Sequence, residues 1–130
     1  MPRILVVDDD QPTRRLINLI LLEGDHELHF AQLANEVREE IGAFQPHLTI
    51  LDLMLPDIDG LTLFREIRSL GYKGAVLALT ASDRQDALLL EIEKELGPDG
   101  VLLKPFDPDE LAQRVELLLD ASDSATSLPA

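Results

Sequence analysis

Four short runs in this chain are apolar almost from end to end, and each stops at a polar residue. Ile4-Leu5-Val6-Val7 ends in Asp8-Asp9, with Asp10 behind them. Leu48-Thr49-Ile50-Leu51 ends in a lone Asp52, and the runs at 75–79 and 101–103 end in Thr80 and Lys104. Runs that are continuously apolar rather than alternating mark strands covered on both faces, as in a parallel sheet. The end of a buried strand is a poor place for a charge unless something uses it. Carboxylates, a hydroxyl and an ammonium at four such ends point to one site assembled from dispersed pieces.

Between these runs the apolar residues switch to helical spacing. Pro12 suits a first helical turn, and Leu16, Ile17 and Ile20 follow it as a stripe. Leu33, Val37, Ile41 and Phe44 form a second stripe. A third helix is predicted over about 59–69, burying Leu63, Phe64 and Ile67. A fourth is predicted over about 84–96, with Leu88, Leu89, Ile92 and Leu96 on one face. The fifth covers about 108–119, with Asp107 as its N-cap and Leu111, Val115 and Leu118 inward. A weaker run at 27–31 reads as an edge strand. Strand alternating with helix five times predicts an α/β domain, a doubly wound five-stranded parallel sheet with helices on both faces. Right-handed crossovers are expected. Such sheets bind ligands beyond the carboxyl ends of their strands, where the four polar residues lie.

A chain of 130 residues can build one domain with a real core. That domain is expected over 1–120, with the small and polar 121–130 as a flexible tail or the start of a linker. Cysteine is absent, which excludes disulfides and thiolate metal sites. The net charge of −14, from 11 basic and 25 acidic residues, repels phosphate backbones and anionic lipid. Direct nucleic-acid binding and membrane contact are therefore not expected. No leader pattern and no long apolar span is visible, so the expected location is the cytoplasm.

If Asp8, Asp9 and Asp52 converge, their charges conflict. Two carboxylates about 5 Å apart repel by roughly 3 kcal/mol at an effective dielectric near 20. A hard divalent cation relieves that repulsion, and Mg²⁺ suits few carboxylates, several waters and a phosphate oxygen. Lys104 adds a mobile positive charge for an anion, and Thr80 a hydroxyl donor. Together these groups describe phosphoryl transfer, with a carboxylate as the nucleophile. Asp52 is the better nucleophile candidate, because Asp8 and Asp9 are more useful as metal ligands.

These residues resemble the receiver domain of two-component response regulators. The resemblance covers about residues 3–120. It is carried by Ile4-Leu5-Val6-Val7-Asp8-Asp9, by Leu51-Asp52-Leu53-Met54-Leu55-Pro56-Asp57-Ile58-Asp59-Gly60, by Leu79-Thr80-Ala81 and by Lys104-Pro105-Phe106. It implies the flavodoxin-like strand order 2-1-3-4-5. It implies that Asp52 accepts a phosphoryl group from a histidine kinase or a histidine phosphotransfer protein. Mg²⁺ would be held by Asp9 directly, by Asp8 largely through water, by Asp52 and by the backbone carbonyl of Met54. Lys104 would contact the phosphoryl group, Thr80 would swing toward it, and the Lys104–Pro105 bond would be cis. Such a domain catalyses only its own phosphoryl transfer and dephosphorylation, and is not otherwise an enzyme. Leu90 and Leu117 fall off the inward stripes of the fourth and fifth helices; they read either as ordinary scattered exposed leucines or as part of a partner surface, and this family often uses those helices for homodimers.

Three positions depart from the family pattern. Val101 stands where an aromatic residue usually moves together with the threonine, so the switch formed by Thr80 and Val101 lacks a ring. Thr80 and Lys104 are 24 positions apart, about two more than is common, which places extra length in or after the fourth helix. His47 stands where an acidic residue is frequent. It, His26 and His29 lack ligand spacing and are assigned surface or packing roles.

Two other functions remain in view. A receiver-like module could bind partners without phosphorylation. Alternatively, Asp8-Asp9-Asp10 fits the Asp-x-Asp of haloacid-dehalogenase-type phosphatases, with Asp8 as nucleophile, but that reading leaves the Asp52 loop unexplained. Asp10 itself reads as a solvated or helix-start charge. No helix-turn-helix or catalytic segment follows residue 120 here, as expected either of a stand-alone module or of one piece of a longer regulator.

Overall fold

The computed structural model describes residues 1–81 and 87–127. In chain order it contains β1 (Arg3–Val7), α1 (Gln11–Leu22), β2 (Glu27–Ala31), α2 (Ala34–Ala43) and β3 (Leu48–Asp52). These are followed by α3 (Gly60–Ser69), β4 (Ala75–Thr80), α4 (Ala87–Leu96), a 3₁₀ turn (Pro98–Gly100), β5 (Val101–Leu103) and α5 (Pro108–Ser127). The strands form one parallel sheet in the order β2-β1-β3-β4-β5.

Period-two alternation splits the apolar runs between two cores. Leu5, Val7, Leu51, Ala78 and Val101 face α2, α3 and α4, where Val37, Leu63, Phe64, Ile67, Leu89 and Ile92 cover them. Ile4, Val6, Ile50, Leu77, Leu79 and Leu102 face α1 and α5, where Ile17, Leu21, Leu111, Val115 and Leu119 cover them. Both faces are dry, which is why the runs carry no polar alternation. β2, at the sheet edge, is the least buried strand, matching its weaker pattern.

Several helix faces differ from the stripes predicted. In α1, Ile17 and Leu21 are buried while Leu16 is exposed, because spacing of four puts Leu21, not Leu16, on Ile17's face. Leu33 is exposed, since it precedes the first turn of α2; Val37, Ile41 and Phe44 are buried as expected. In α5 the same spacing carries burial from Leu111 and Val115 to Leu119, leaving Leu118 only half-buried. The backbone of α5 stays helical to Ser127, beyond the expected end at Leu119. No proline or glycine interrupts residues 109–127, and Ala121 and Ala125 favour helix. The expected start of the fourth helix at Arg84, and the side chain of Leu88, lie outside the described residues. Among those residues, no helix is long and apolar enough to cross a membrane.

Tyr72, the only tyrosine, is buried between α3 and β4 and donates to the Ala75 carbonyl at 2.7 Å. Burial pushes its phenol up to about 12, against a smaller opposing effect of the nearby Thr49 hydroxyl. That hydroxyl is buried without a hydrogen bond of normal geometry. A phenol whose folded pKa is raised keeps its proton longer in the native state. Stability is therefore lost as pH rises from the unfolded value of 10.0 through about 12, by roughly 2–3 kcal/mol. With no tryptophan present, phenolate absorbance reports this residue alone. It is expected to titrate near 12 or together with unfolding; a native-state midpoint near 10 would contradict the burial argument.

Candidate functional site

The carboxyl ends of β1, β3, β4 and β5 meet at one edge of the sheet. Asp8 follows β1 and is fully buried, Asp9 beside it is exposed, and Asp52 closes β3 at 5% exposure. Each of the three offers a carboxylate oxygen, all within 4.8 Å of one another. Lys104 reaches between two of them, with Nζ 2.9 Å from Asp8 Oδ2 and 3.4 Å from Asp52 Oδ2. Thr80 is buried at the end of β4, in register with Leu103, and its carbonyl accepts from the Lys104 amide at 2.7 Å. The Lys104–Pro105 peptide is cis.

Backbone donors orient the carboxylates. Asp8 Oδ1 accepts from the Asp10 amide at 2.9 Å, and Asp52 Oδ1 accepts from the Met54 amide at 3.0 Å. The chain after Asp52 is pinched shut by a Met54–Asp59 bridge and by the Gly60 amide donating to the Leu53 carbonyl at 3.0 Å. Asp59 then caps α3 through the Thr62 amide at 2.8 Å, and this bond holds its carboxyl below the usual range.

The charges in the pocket are not balanced. Burial raises the Asp52 carboxyl above its ordinary value, and Asp8 raises it further; the Met54 amide and Lys104 only partly offset this. Burial works against the Lys104 charge, but Asp8 and Asp52 outweigh it and hold the ammonium above the usual lysine value. An ionised Asp52 therefore needs more positive charge than one lysine supplies. Three carboxylate oxygens, with no sulfur or imidazole among them, suit a small hard cation. Among the described residues this is the only such cluster of potential ligands.

The family model for the response regulator receiver domain matches residues 4–116. The chain belongs to that family. The receiver domain is 41% identical over 122 residues to the transcriptional regulatory protein PcoR of Escherichia coli, covering 92% of this chain and 52% of that protein. It is 32% identical over 123 residues to the alkaline phosphatase synthesis transcriptional regulatory protein PhoP of Bacillus subtilis, covering 95% of this chain and 50% of that one. It thus spans about half the length of the curated relatives it matches. Among solved structures, the receiver domain of the Francisella response regulator 1452 superposes with a TM-score of 0.81 at 27% identity, covering 94% of this chain and 99% of that one. The BeF3-activated N-terminal receiver domain of Klebsiella pneumoniae RstA gives 0.78 at 31% identity, covering 90% and 97%. The Asp8, Asp9 and Asp52 pocket of this receiver domain fits the family's phosphoacceptor site.

Other sequence-marked residues fall away from the pocket. Asp10 caps α1 by accepting from the Thr13 amide at 3.1 Å, and the Thr13 side chain holds its carboxyl below the usual range. With Asp10 so engaged, the Asp-x-Asp pattern of a phosphatase has lost its second acid. Val101 is buried two residues before the end of β5 and lines a groove of about 580 Å³ with Leu89, Leu90, Leu103, Pro105 and Arg114. Leu90 and Leu117 are 49% and 47% exposed. The histidines pack locally. His47 accepts from the Arg3 amide at 2.9 Å, His29 stacks on Phe44 with ring centroids 3.6 Å apart, and His26 lies near the Leu21 carbonyl.

Two contacts, one at the pocket and one at the start of α2, were not apparent from the sequence. Arg14, on α1, donates from Nη1 to the Asp8 carbonyl at 2.8 Å. Asp57 accepts from the Ala34 amide at 3.0 Å, capping α2 where Leu33 has no side chain that can do so. Arg14 carried a faint signal, a cation on the first turns after an acidic strand end. Asp57 carried none, because its partner lies 23 positions away.

Proposed function

We propose that this domain is a phosphorylation switch in which Asp52 is the phosphoacceptor. The observation that carries the reading is the convergence of three carboxylate oxygens within 4.8 Å, with the Lys104 ammonium already against two of the carboxylates. Asp8, Asp9, Asp52 and the Met54 carbonyl would hold Mg²⁺. Bound there, Mg²⁺ supplies charge neutralisation for the phosphoryl oxygens. An Asp52 oxygen attacks the phosphorus of a phosphohistidine on a histidine kinase or phosphotransfer protein. The O–P bond forms, the N–P bond breaks, and the electron pair returns to the imidazole nitrogen. Lys104 leaves the carboxylates and turns its charge to the phosphoryl group. The phosphoryl group carries a charge of about −1.5 to −2 where the carboxylate carried −1, and it attracts the Thr80 hydroxyl as donor. The domain catalyses only this transfer and the later hydrolysis that returns the Asp52 carboxylate and releases inorganic phosphate, and it acts in the cytoplasm without direct contact with nucleic acid.

Readout is assigned to the Thr80 end of β4 and to the face formed by α4, β5 and α5. Val101 contributes no ring there, so the groove beside it changes shape through α4 rather than through an aromatic rotamer. Leu90 and Leu117 on that face would form a homodimer in the phosphorylated state. Residues 1–120 are taken as the receiver unit, and 121–130 as a connecting segment.

The test is labelling by a small-molecule phosphodonor. Label is expected to need Mg²⁺ and to be absent from Asp52→Asn. Label that persists in that variant, or that ignores Mg²⁺, would sink the proposal.

A further inference from the structure

Asp9 is exposed, and among the described residues no hydrogen bond holds its carboxylate. The backbone of the turn between β1 and α1 therefore fixes the Cα–Cβ bond from which that carboxylate reaches out, with no other tie to place it. That turn is tied at several points. The Asp8 amide donates to the Ala31 carbonyl at 3.1 Å, and the Asp8 carboxylate accepts from the Asp10 amide at 2.9 Å. Asp10 in turn caps α1. The remaining tie is the Arg14 guanidinium, 2.8 Å from the Asp8 carbonyl oxygen.

The Asp8 carbonyl lies in the same rigid peptide plane as the amide and Cα of Asp9. Fixing that oxygen fixes the plane from which the Asp9 side chain departs. β1 ends at Val7, so the Asp8 carbonyl has left the run of paired residues and needs another donor. An arginine brings a rigid, always-charged donor to this place. It also brings a positive charge toward a cation site, which electrostatics alone disfavours. A positioning role is what offsets that disadvantage.

We propose that Arg14 is a positioning residue. By holding the Asp8 carbonyl, it sets the β1–α1 turn so that Asp8 and Asp9 present their oxygens together to a divalent cation. This rests on the reading of the pocket as a Mg²⁺ site.

The two effects of Arg14 have opposite signs, so one measurement separates them. Removing its charge should tighten Mg²⁺ binding if Arg14 acts only through electrostatics. Removing its hydrogen bond should weaken binding if it positions the turn. Titration calorimetry of the whole chain with Mg²⁺ alone is expected to show about five- to tenfold weaker binding for Arg14→Gln. Arg14→Met keeps the apolar stem packed and serves as a second neutral variant should Arg14→Gln fold poorly. Arg15→Gln loses the same charge from an exposed neighbouring position and is expected to bind as well as wild type or slightly better. Neutral Arg14 variants that bind as tightly as wild type, or more tightly, would overturn this inference alone. A wild-type chain that binds no Mg²⁺ would overturn the reading of the pocket along with it.

Discussion

Asp52→Asn is expected to melt at a higher temperature than wild type in the absence of divalent cation, while accepting no phosphoryl group. An amide is not a nucleophile toward phosphorus at this position, so label should disappear completely. The stability gain has a separate cause. In the folded chain, burial and then Asp8 hold the Asp52 carboxyl above its unfolded value of 3.8, so ionising it costs the native state more than the unfolded one. The sign follows directly. Between the unfolded and the folded pKa, the native state carries the extra proton, and stability falls as pH rises through that window. Asparagine is neutral at every pH and escapes the loss. The variant and wild type should therefore match below the unfolded pKa, diverge as pH rises through the window, and stay a constant amount apart above the folded pKa. In a domain of this size each 1 kcal/mol gained raises the melting temperature by roughly 3–6 °C. Mg²⁺ should reverse the ranking, because it stabilises only the form that binds it well. Thermal melts of both proteins across pH, with and without Mg²⁺, provide the check. A metal-free variant that melts below wild type at neutral pH would show that Lys104 gains more from Asp52 than repulsion costs.

That prediction depends on residues legible from the sequence, and the reason is topological. In a parallel sheet the strand ends lie together, so a polar residue closing each apolar run is placed at the site without knowledge of any contact. Asp8, Asp9, Asp52, Thr80 and Lys104 were visible in this way. What period and polarity do not contain is the set of contacts made across the fold. Leu16 and Leu21 are equally apolar, and only the packing of α1 on the sheet selects Leu21. Arg38 is paired in space with Glu66, 28 positions away, at 2.6 Å; each partner's hydrogen bond keeps the other charged. Asp57 caps a helix to which it is not adjacent in sequence. The end of α5 was misplaced for a different reason. Small polar residues such as Ser122 and Ser124 resemble linker composition, yet nothing among them prevents a helix already under way from continuing. Residues that hold the pocket's charged groups in place are therefore harder to read than those groups themselves.

Gly60→Ala is expected to be among the most damaging single changes that remove no functional group. A Cβ at Gly60 would lie 2.5 Å from the Leu53 Cα and 2.5 Å from Leu53 Cδ2. The second contact could be relieved by a rotamer change; the first is backbone, and the chain itself must move. Leu53 directly follows Asp52, and the Gly60 amide bonds the Leu53 carbonyl, so the displacement is delivered to the segment that carries Asp52 and the Met54 carbonyl. Overpacking of this kind costs about 1–3 kcal/mol. Because the obstacle is backbone, the upper part of that range is expected, which lowers Tm by roughly 10 °C. Mg²⁺ binding should weaken as well, since two of the groups assigned to it move. Gly42→Ala is the matched control. It lies in α2, a Cβ there meets nothing within 4 Å, and alanine favours helix by up to about 1 kcal/mol. The same chemical change should thus destabilise at one glycine and stabilise at the other, with only the first altering Mg²⁺ affinity. Equal melting temperatures for the two variants would show that the loop after Asp52 yields without cost, and that the close approach of Gly60 to Leu53 does not hold the site.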